Sequence, residues 1–186
     1  MKTVTVEQFK NFRPCWLEAA EGREKFARIA SIRNEWTALD VLNLPDVSAQ
    51  DKLWSVLREE FIEAPILHEF ACSCAEYALS FVESPDPRSI AAIEAKRKWL
   101  RGEITDAELY AAWAAARDAA WDDASDAATA AATAAAWDAA MDAAWDDASD
   151  AAQDAAWAAA RNATWDSARE HEVEILRELL EEGDEQ

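Results

Sequence analysis

Residues 111–170 read AAWA AARD AAWD DASD AATA AATA AAWD AAMD AAWD DASD AAQD AAWA AARN ATWD SARE, an alanine-rich stretch in steps of four. Each tetrad has two small residues, a variable residue that is often Trp, and a last residue that is usually Asp. Alanine has the highest helix propensity, and no Pro or Gly occurs from Glu103 to Glu182. The stretch therefore predicts helix, and the capping-box pattern Thr105-Asp-Ala-Glu108 marks its start.

The period of four residues leaves two arrangements open. Four residues overshoot one helical turn by roughly 40°, so a stripe with this period winds around a straight helix. Either several helices each show one broad Trp face, or one long helix is covered on all sides. The block AAWDDASDAA occurs at 119–128 and again at 143–152, and its Asp and Ser residues suit helix N-caps. We predict an all-α helical bundle in which the repeat forms long antiparallel helices, with one long helix as the alternative.

The charge of the chain is concentrated in the half that contains the repeat. The net charge is −20, of which residues 1–104 hold −3 (14 Lys/Arg, 17 Asp/Glu) and residues 105–186 hold −17 (4 Lys/Arg, 21 Asp/Glu). Phosphate neutralisation dominates nucleic-acid affinity, so direct nucleic-acid binding by this half is disfavoured. We divide the chain into an N-terminal helical region (1–104), an acidic helical repeat packed with it as one unit (105–182) and a frayed tail (183–186).

The Asp ladder predicts a surface for a basic protein partner. Like charges at i, i+4 cost roughly 0.2–0.5 kcal/mol per pair, so the ladder needs a reason. It is a solvated face that keeps an alanine-rich bundle in solution, a partner-binding face or a cation-binding face. The ladder rises about 6 Å per tetrad, close to the phosphate spacing of a nucleic-acid strand, so it could imitate DNA. The candidate partner-binding residues are Asp118, Asp122, Asp126, Asp138, Asp142, Asp146, Asp150 and Asp154, with Trp137 and Trp145 as aromatic anchors.

The Trp residues of the tetrads have two interpretations. Alanine faces let helices approach closely, and Trp then fills the remaining space as part of a packed interior. Trp is also enriched at the energetic centres of protein interfaces. Different Trp residues of the repeat could serve each role.

Candidate catalytic and metal sites are weak. His68 and Cys72 share a helix face, but a closed zinc site needs four ligands. A buried Cys and a hydrogen-bonded His explain the pair better. The chain has three Gly and no glycine-rich phosphate loop. We expect no catalytic residues, no metal and no cofactor, and hence no enzyme.

The remaining features predict a cytoplasmic protein with free thiols. Three Cys at 15, 72 and 74 have no disulfide spacing, there is no secretory leader, and no apolar run is long enough to cross a membrane.

Gly22 predicts a break, residues 96–101 (KRKWLR) form a basic cluster, and Val4-Thr5-Val6 is too short to weigh as a strand. Further helices are predicted at 5–12, 14–20, 23–31, 34–44, 48–61, 65–82, 87–101 and 171–182.

Residues 66–110 carry a family resemblance. The run contains Cys-Ala-Glu, Asp-Pro-Arg, Ala-Ile-Glu-Ala and then Trp-Leu-Arg-Gly-Glu-Ile-Thr-Asp-Ala-Glu-Leu. It resembles an immunity protein family of bacterial and phage genomes whose alanine-rich helical tail varies in length. The resemblance covers roughly residues 50–180 and implies a protein-binding inhibitor. The chain departs from the family in having Asp-rich tetrads where Arg or His tetrads are common.

We therefore expect a non-enzymatic inhibitor of immunity or phage counter-defence type that masks a basic partner. The alternative is a structural module whose tetrads pack against further copies of the chain, giving a homo-oligomer.

Overall fold

The computed structural model describes residues 2–122 and 165–184. These residues are mostly helical with one two-stranded ribbon, consistent with the predicted all-α class. The predictions of antiparallel helices or one long helix in the repeat concern residues 123–164 and lie outside the described residues. The elements in chain order are β1 (Thr3–Thr5), α1 (Val6–Asn11), a 3-10 turn (Cys15–Glu18), α2 (Ala20–Ala30), β2 (Glu35–Thr37), α3 (Ala38–Leu42), α4 (Ala49–Val56), α5 (Ala64–Leu79), α6 (Pro87–Leu100), α7 (Asp106–Asp122) and α8 (Trp165–Asp184).

Helix ends follow the capping residues that the sequence indicates. The Thr5 side chain accepts a hydrogen bond from the Gln8 backbone N–H, which closes a capping box at α1. Asp86 caps α6 ahead of Pro87 at its first position. Gly102 ends that helix region with φ +70°, a conformation that glycine adopts without strain. The helices predicted at 5–12 and 87–101 are therefore confirmed to within a residue at each end.

The two short strands were not predicted. β1 and β2 pair antiparallel, with Val4 opposite Trp36. Their three-residue segments, Thr-Val-Thr and Glu-Trp-Thr, are rich in β-branched and aromatic residues but too short to show a period of two. The pairing joins segments about thirty residues apart in sequence, so local patterns do not reveal it. The predicted helix 34–44 was therefore wrong over Glu35–Thr37.

Two other predicted boundaries were also wrong. Gly22 lies inside α2, because an isolated Gly costs only about 1 kcal/mol in a helix interior. Helix α4 ends at Val56, short of Phe61. The chain turns there because the Arg58 guanidinium folds back and donates to the backbone carbonyls of Trp54 (3.0 Å) and Ser55 (3.1 Å).

Helix α5 is central to the main hydrophobic core. Nine of its residues are buried, as the apolar run in the sequence predicts. The ribbon, α3, α4 and α6 contribute Trp36, Leu42, Leu53 and Ile93 to this core. The core therefore joins elements from most of the first hundred residues.

Helix α8 shares that core although it lies at the far end of the chain. Val173, Leu176 and Leu180 are buried on the side of α8 that packs against α3, α4 and α5. The helix extends through Gly183 to Asp184, beyond the predicted start of the frayed tail. A side chain at Gly183 would lie 3.3 Å from the Ile66 side chain, which shows how closely the end of α8 approaches α5.

Helices α6 and α7 form a second, smaller cluster. Leu109 and Trp113 of α7 pack against Trp99 and Ile104. The Trp99 indole N–H donates to the Asp106 carboxylate at 2.8 Å. The first tetrads of the repeat are thus held against the N-terminal region. None of the helices in residues 2–122 and 165–184 has the length and apolar character that crossing a bilayer requires.

Candidate functional site

The described part of the predicted Asp ladder is its first two members. Asp118 is exposed near the end of α7, with its carboxylate 3.7 Å from the Arg117 guanidinium. Asp122 is the last residue of α7. The remaining predicted partner-binding residues lie outside the described residues: Asp126, Asp138, Asp142, Asp146, Asp150, Asp154, Trp137 and Trp145.

Trp113 shows one of the two roles proposed for the Trp residues of the repeat. Its side chain is buried against α6, and the Arg117 guanidinium lies 4.8 Å from its ring centroid. Ala116 and Ala119 on the same helix are fully buried. This Trp therefore belongs to the packed interior and is not an exposed anchor.

Helix α8 carries an acidic surface that the sequence analysis treated as an ordinary amphipathic end. Its exposed side holds carboxylates at helical spacing, while its buried side packs on α5. We call this surface the acidic stripe; its residues are Glu170, Glu174, Glu178, Glu181 and Glu182. The signal in the sequence is the Glu spacing of 170, 174 and 178, which continues the four-residue period of the Asp ladder.

One arginine of α8 lies within reach of the acidic stripe. Arg177 pairs with Glu174 and also donates from Nε to the Asn43 side-chain oxygen at 3.2 Å. Arg177 is therefore used to hold α8 to the residue that follows α3.

The predicted basic cluster at 96–101 is divided among different environments. Lys96 is fully buried, with its ammonium 4.4 Å from the Trp99 ring centroid. Arg97 bridges α6 to α5 by pairing with Glu69 (2.6 Å) and Glu76. Arg101 pairs with Glu103 at 2.6 Å. The cluster therefore serves helix packing and local ion pairs, not a single basic surface.

His68 and Cys72 form an unreactive buried pair. Burial, together with the nearby charge of Lys96, lowers the pKa of His68 to about 4. Burial raises the pKa of Cys72 to about 12, so its thiol stays protonated. The prediction that Cys72 is buried is confirmed. The predicted hydrogen bond of His68 is not formed at Nδ1, because that atom has no hydrogen-bond partner among the described residues. No group of three His, Cys, Asp or Glu within residues 2–122 and 165–184 could hold a metal ion.

Glu172 is a second buried titratable group. Its residue surface is fully buried on α8, and neither carboxylate oxygen has a hydrogen-bond partner in the described part of the chain. Burial raises the pKa of Glu172 to about 8, although the nearby Arg169 charge acts in the opposite direction. Its charge acts in turn on Cys74 of α5, whose pKa burial raises well above the usual value. The interface of α5 and α8 thus contains a carboxyl group that favours the protonated form.

An apolar cleft lies between α2 and the ribbon. It is lined mainly by Phe9, Phe26, Ile29, Trp36 and Phe61, and its volume is about 60 Å³. Empty apolar cavities that bind benzene are about 150 Å³. The cleft is therefore too small, in this arrangement, for a ligand of that size.

Three aromatic rings meet on the surface where α5 approaches α8. The Tyr77 ring centroid lies 4.9 Å from that of Phe81 and 4.2 Å from that of His171. Phe81 is 47% exposed and His171 is exposed, whereas Tyr77 is half-buried. We call Tyr77, Phe81 and His171 the aromatic triad. Local sequence patterns do not reveal it, because His171 lies about ninety residues after Tyr77 and Phe81.

No protein-family model, curated protein or solved structure matches the chain.

Proposed function

We propose that the protein is a non-enzymatic inhibitor that binds a basic surface of a partner protein through its acidic helices. The observation that carries this proposal is the two-sided character of α8. One side is buried in the core with Val173, Leu176 and Leu180, and the other presents the acidic stripe to solvent. A rigidly held helix with an acidic outer face is suited to a partner of opposite charge.

The distribution of charge supports the same function. Residues 105–186 carry a net charge of −17, and the acidic stripe continues the spacing of the predicted Asp ladder. A field of this size steers a basic protein toward the surface and gives fast, salt-sensitive association. The same field repels nucleic acid, so a protein is the more suitable partner.

The immunity or phage counter-defence class is the narrower part of the proposal. It rests on the resemblance of residues 66–110, which form most of α5, all of α6 and the start of α7. The narrowest version is DNA mimicry, in which the carboxylates take the place of phosphates in a nuclease or another DNA-binding protein. The spacing of about 6 Å between carboxylates one tetrad apart supports it.

The proposal is tested with three variants that change the charge equally. The first reverses the acidic stripe (Glu170→Lys, Glu174→Lys, Glu178→Lys), and the second reverses the ladder (Asp142→Lys, Asp146→Lys, Asp150→Lys). The control reverses three exposed glutamates of α1 and α2 (Glu7→Lys, Glu21→Lys, Glu24→Lys). Each purified chain is used as bait in a host lysate, with washes at about 0.05 M and then about 0.5 M salt.

Loss of the same captured protein from the stripe or ladder variant, but not from the control, is the expected result. Equal loss of the captured protein from all three variants would show that capture depends only on net charge and not on these surfaces. No loss from any variant would refute the proposal. If DNA displaces the captured protein, mimicry is supported. If the chain forms a defined oligomer by light scattering and captures no foreign protein, the inhibitor hypothesis fails and the hypothesis of a homo-oligomeric structural module is favoured.

A further inference from the structure

The aromatic triad is an apolar surface at the edge of a strongly acidic one. Tyr77 lies in the last turn of α5 and Phe81 lies two residues beyond its end, and their rings pack edge to face with ring planes at 81°. His171 of α8 completes the group at 44° to the Tyr77 ring. The three rings are therefore tilted or edge to face and do not form a flat stack.

Other aromatic rings of this chain carry a cation. The Arg33 guanidinium lies 4.8 Å from the Trp36 ring centroid, and the Arg58 guanidinium lies 4.5 Å from that of Phe12 and 4.3 Å from that of Trp54. Arg117 covers Trp113 in the same way. Within residues 2–122 and 165–184, no Lys or Arg lies over the rings of Tyr77 or Phe81.

The surroundings of the aromatic triad favour a positively charged occupant. Glu174 lies three residues after His171, so the two share one side of α8, and Glu170 precedes His171 directly. Arg177 pairs with Glu174, and the remaining carboxylates of the acidic stripe keep the surface negative. The faces of aromatic rings are negative and attract cations, and nearby carboxylates add to that attraction. A guanidinium is favoured over an ammonium because it is planar, stacks on rings and pairs with a carboxylate through two N–H groups.

We propose that the aromatic triad binds an arginine side chain of the basic partner, with its guanidinium stacked on the rings and the carboxylates of the acidic stripe supplying the surrounding negative charge. This inference rests on the proposed function and deepens it, since it assigns one contact and one residue type to the partner surface. The acidic stripe would supply attraction to any basic protein, and the triad would supply the preference for arginine.

The experiment uses fluorescein-labelled nona-arginine and nona-lysine peptides, which carry equal charge, and measures their binding to the full chain by fluorescence anisotropy. The variants are Phe81→Leu and Tyr77→Leu, with Tyr110→Leu as the control. Tyr110 is 59% exposed on α7 and packs beside Trp113, the ring that Arg117 covers. Circular dichroism melting confirms that each variant folds, and Phe81→Leu is the more conservative change because Phe81 is half exposed.

The wild-type chain should bind the arginine peptide about two- to fivefold more tightly than the lysine peptide, as expected for a cation over exposed rings. Phe81→Leu should remove this ratio and leave lysine-peptide binding unchanged, whereas Tyr110→Leu should preserve it. A ratio unchanged in folded Phe81→Leu and Tyr77→Leu would overturn the inference. The two failures are distinguishable. If the stripe reversal (Glu170→Lys, Glu174→Lys, Glu178→Lys) leaves the binding of both peptides at the wild-type level, the acidic surface and with it the proposed function fails. If the stripe reversal weakens both peptides but Phe81→Leu and Tyr77→Leu leave the ratio unchanged, only the inference fails.

Discussion

Helix α5 packs against α6 and α8 through interfaces of different chemistry. Toward α6 it presents Glu69 and Glu76 to Arg97, and His68 to the buried Lys96. Toward α8 it meets Val173, Leu176 and Leu180, together with the buried Glu172. The first interface pairs Arg97 with two carboxylates and keeps the His68 imidazole neutral beside Lys96, whereas the second buries a carboxyl group among apolar side chains. Each interface has a buried polar group, His68 Nδ1 or the Glu172 carboxylate, without a hydrogen-bond partner among the described residues.

Burial shifts the pKa values of His68 and Glu172 in opposite directions, because it disfavours the charged form of each group. The pKa of His68 falls because burial and the charge of Lys96 both disfavour the imidazolium. The pKa of Glu172 rises because burial outweighs the charge of Arg169. Each group is therefore neutral over much of the physiological pH range, and each links folding to pH with its own sign.

The largest expected effect comes from breaking the apolar interface of α8. Leu176→Ala should lower the free energy of unfolding by about 2–5 kcal/mol, because Leu176 is fully buried and its removal leaves a cavity. Leu179→Ala, at a half-buried position of the same helix, should cost clearly less. Urea denaturation followed by circular dichroism measures both, and equal losses would show that α8 is not docked as described.

Glu172→Gln should stabilise the chain increasingly as the pH rises. The wild-type carboxyl group has a pKa of about 8 when folded and near 4.5 when unfolded, so its ionisation destabilises the fold across that window. The variant should gain on the order of 4 kcal/mol over the wild type at pH 8 and little at pH 4.5. Urea denaturation at pH 5, 6, 7 and 8 measures the difference.

The matched change in the acidic stripe is Glu178→Gln. Glu178 is exposed on the same helix, so Glu178→Gln is the control for removing one carboxyl group from α8 without touching the core. If the difference in unfolding free energy between Glu172→Gln and the wild type stays constant across the same pH series, the raised pKa of the buried carboxyl group is refuted.

His68→Gln should change the dependence of stability on pH below neutral pH, whereas Glu172→Gln changes it toward alkaline pH. The pKa of His68 falls from 6.5 to about 4 on folding, so the wild type keeps this stability above pH 6.5 and loses it as the pH falls toward 4. The loss should be roughly 3 kcal/mol over that range and should be absent from the variant. Thermal denaturation between pH 4 and 7 tests this, and a variant with the wild-type profile would contradict it.

The smallest expected effect concerns the ion pairs that join α5 and α6. Arg97→Gln should lower the free energy of unfolding by about 1 kcal/mol, because Arg97 pairs with Glu69 and Glu76 in a partly exposed position. Arg101→Gln is the control, since Arg101 pairs only locally with Glu103 at the surface and should change nothing measurable. A reduced loss for Arg97→Gln at about 1 M salt would identify the effect as electrostatic.

Local signals predicted the helices that have strong caps and long apolar patterns. Thr5, Asp86 and Thr105 mark helix starts because their side-chain oxygens accept backbone N–H groups within three residues. The apolar run of α5 likewise indicated a central helix. The ends of α2 and α4 escaped prediction because a tolerated Gly22 and the folding back of Arg58 depend on surroundings that a short window does not contain.

The candidate site also has one part that local sequence signals predict and one part that they do not. The excess of acidic residues and their spacing of four are visible in the sequence, so an acidic surface could be predicted although its described part on α8 was not singled out. The aromatic triad could not be predicted, since Tyr77 and His171 become neighbours only when α8 packs against α5.

The sequence by itself determined the helical class, the main helix starts and the acidic character of the second half. It could do so because propensity, capping and charge depend on residues within a few positions of one another. Only the tertiary structure decided that α8 enters the N-terminal core, that β1 pairs with β2, and which charges are buried. Those outcomes depend on apolar surfaces and charges that are distant in sequence and meet only on folding.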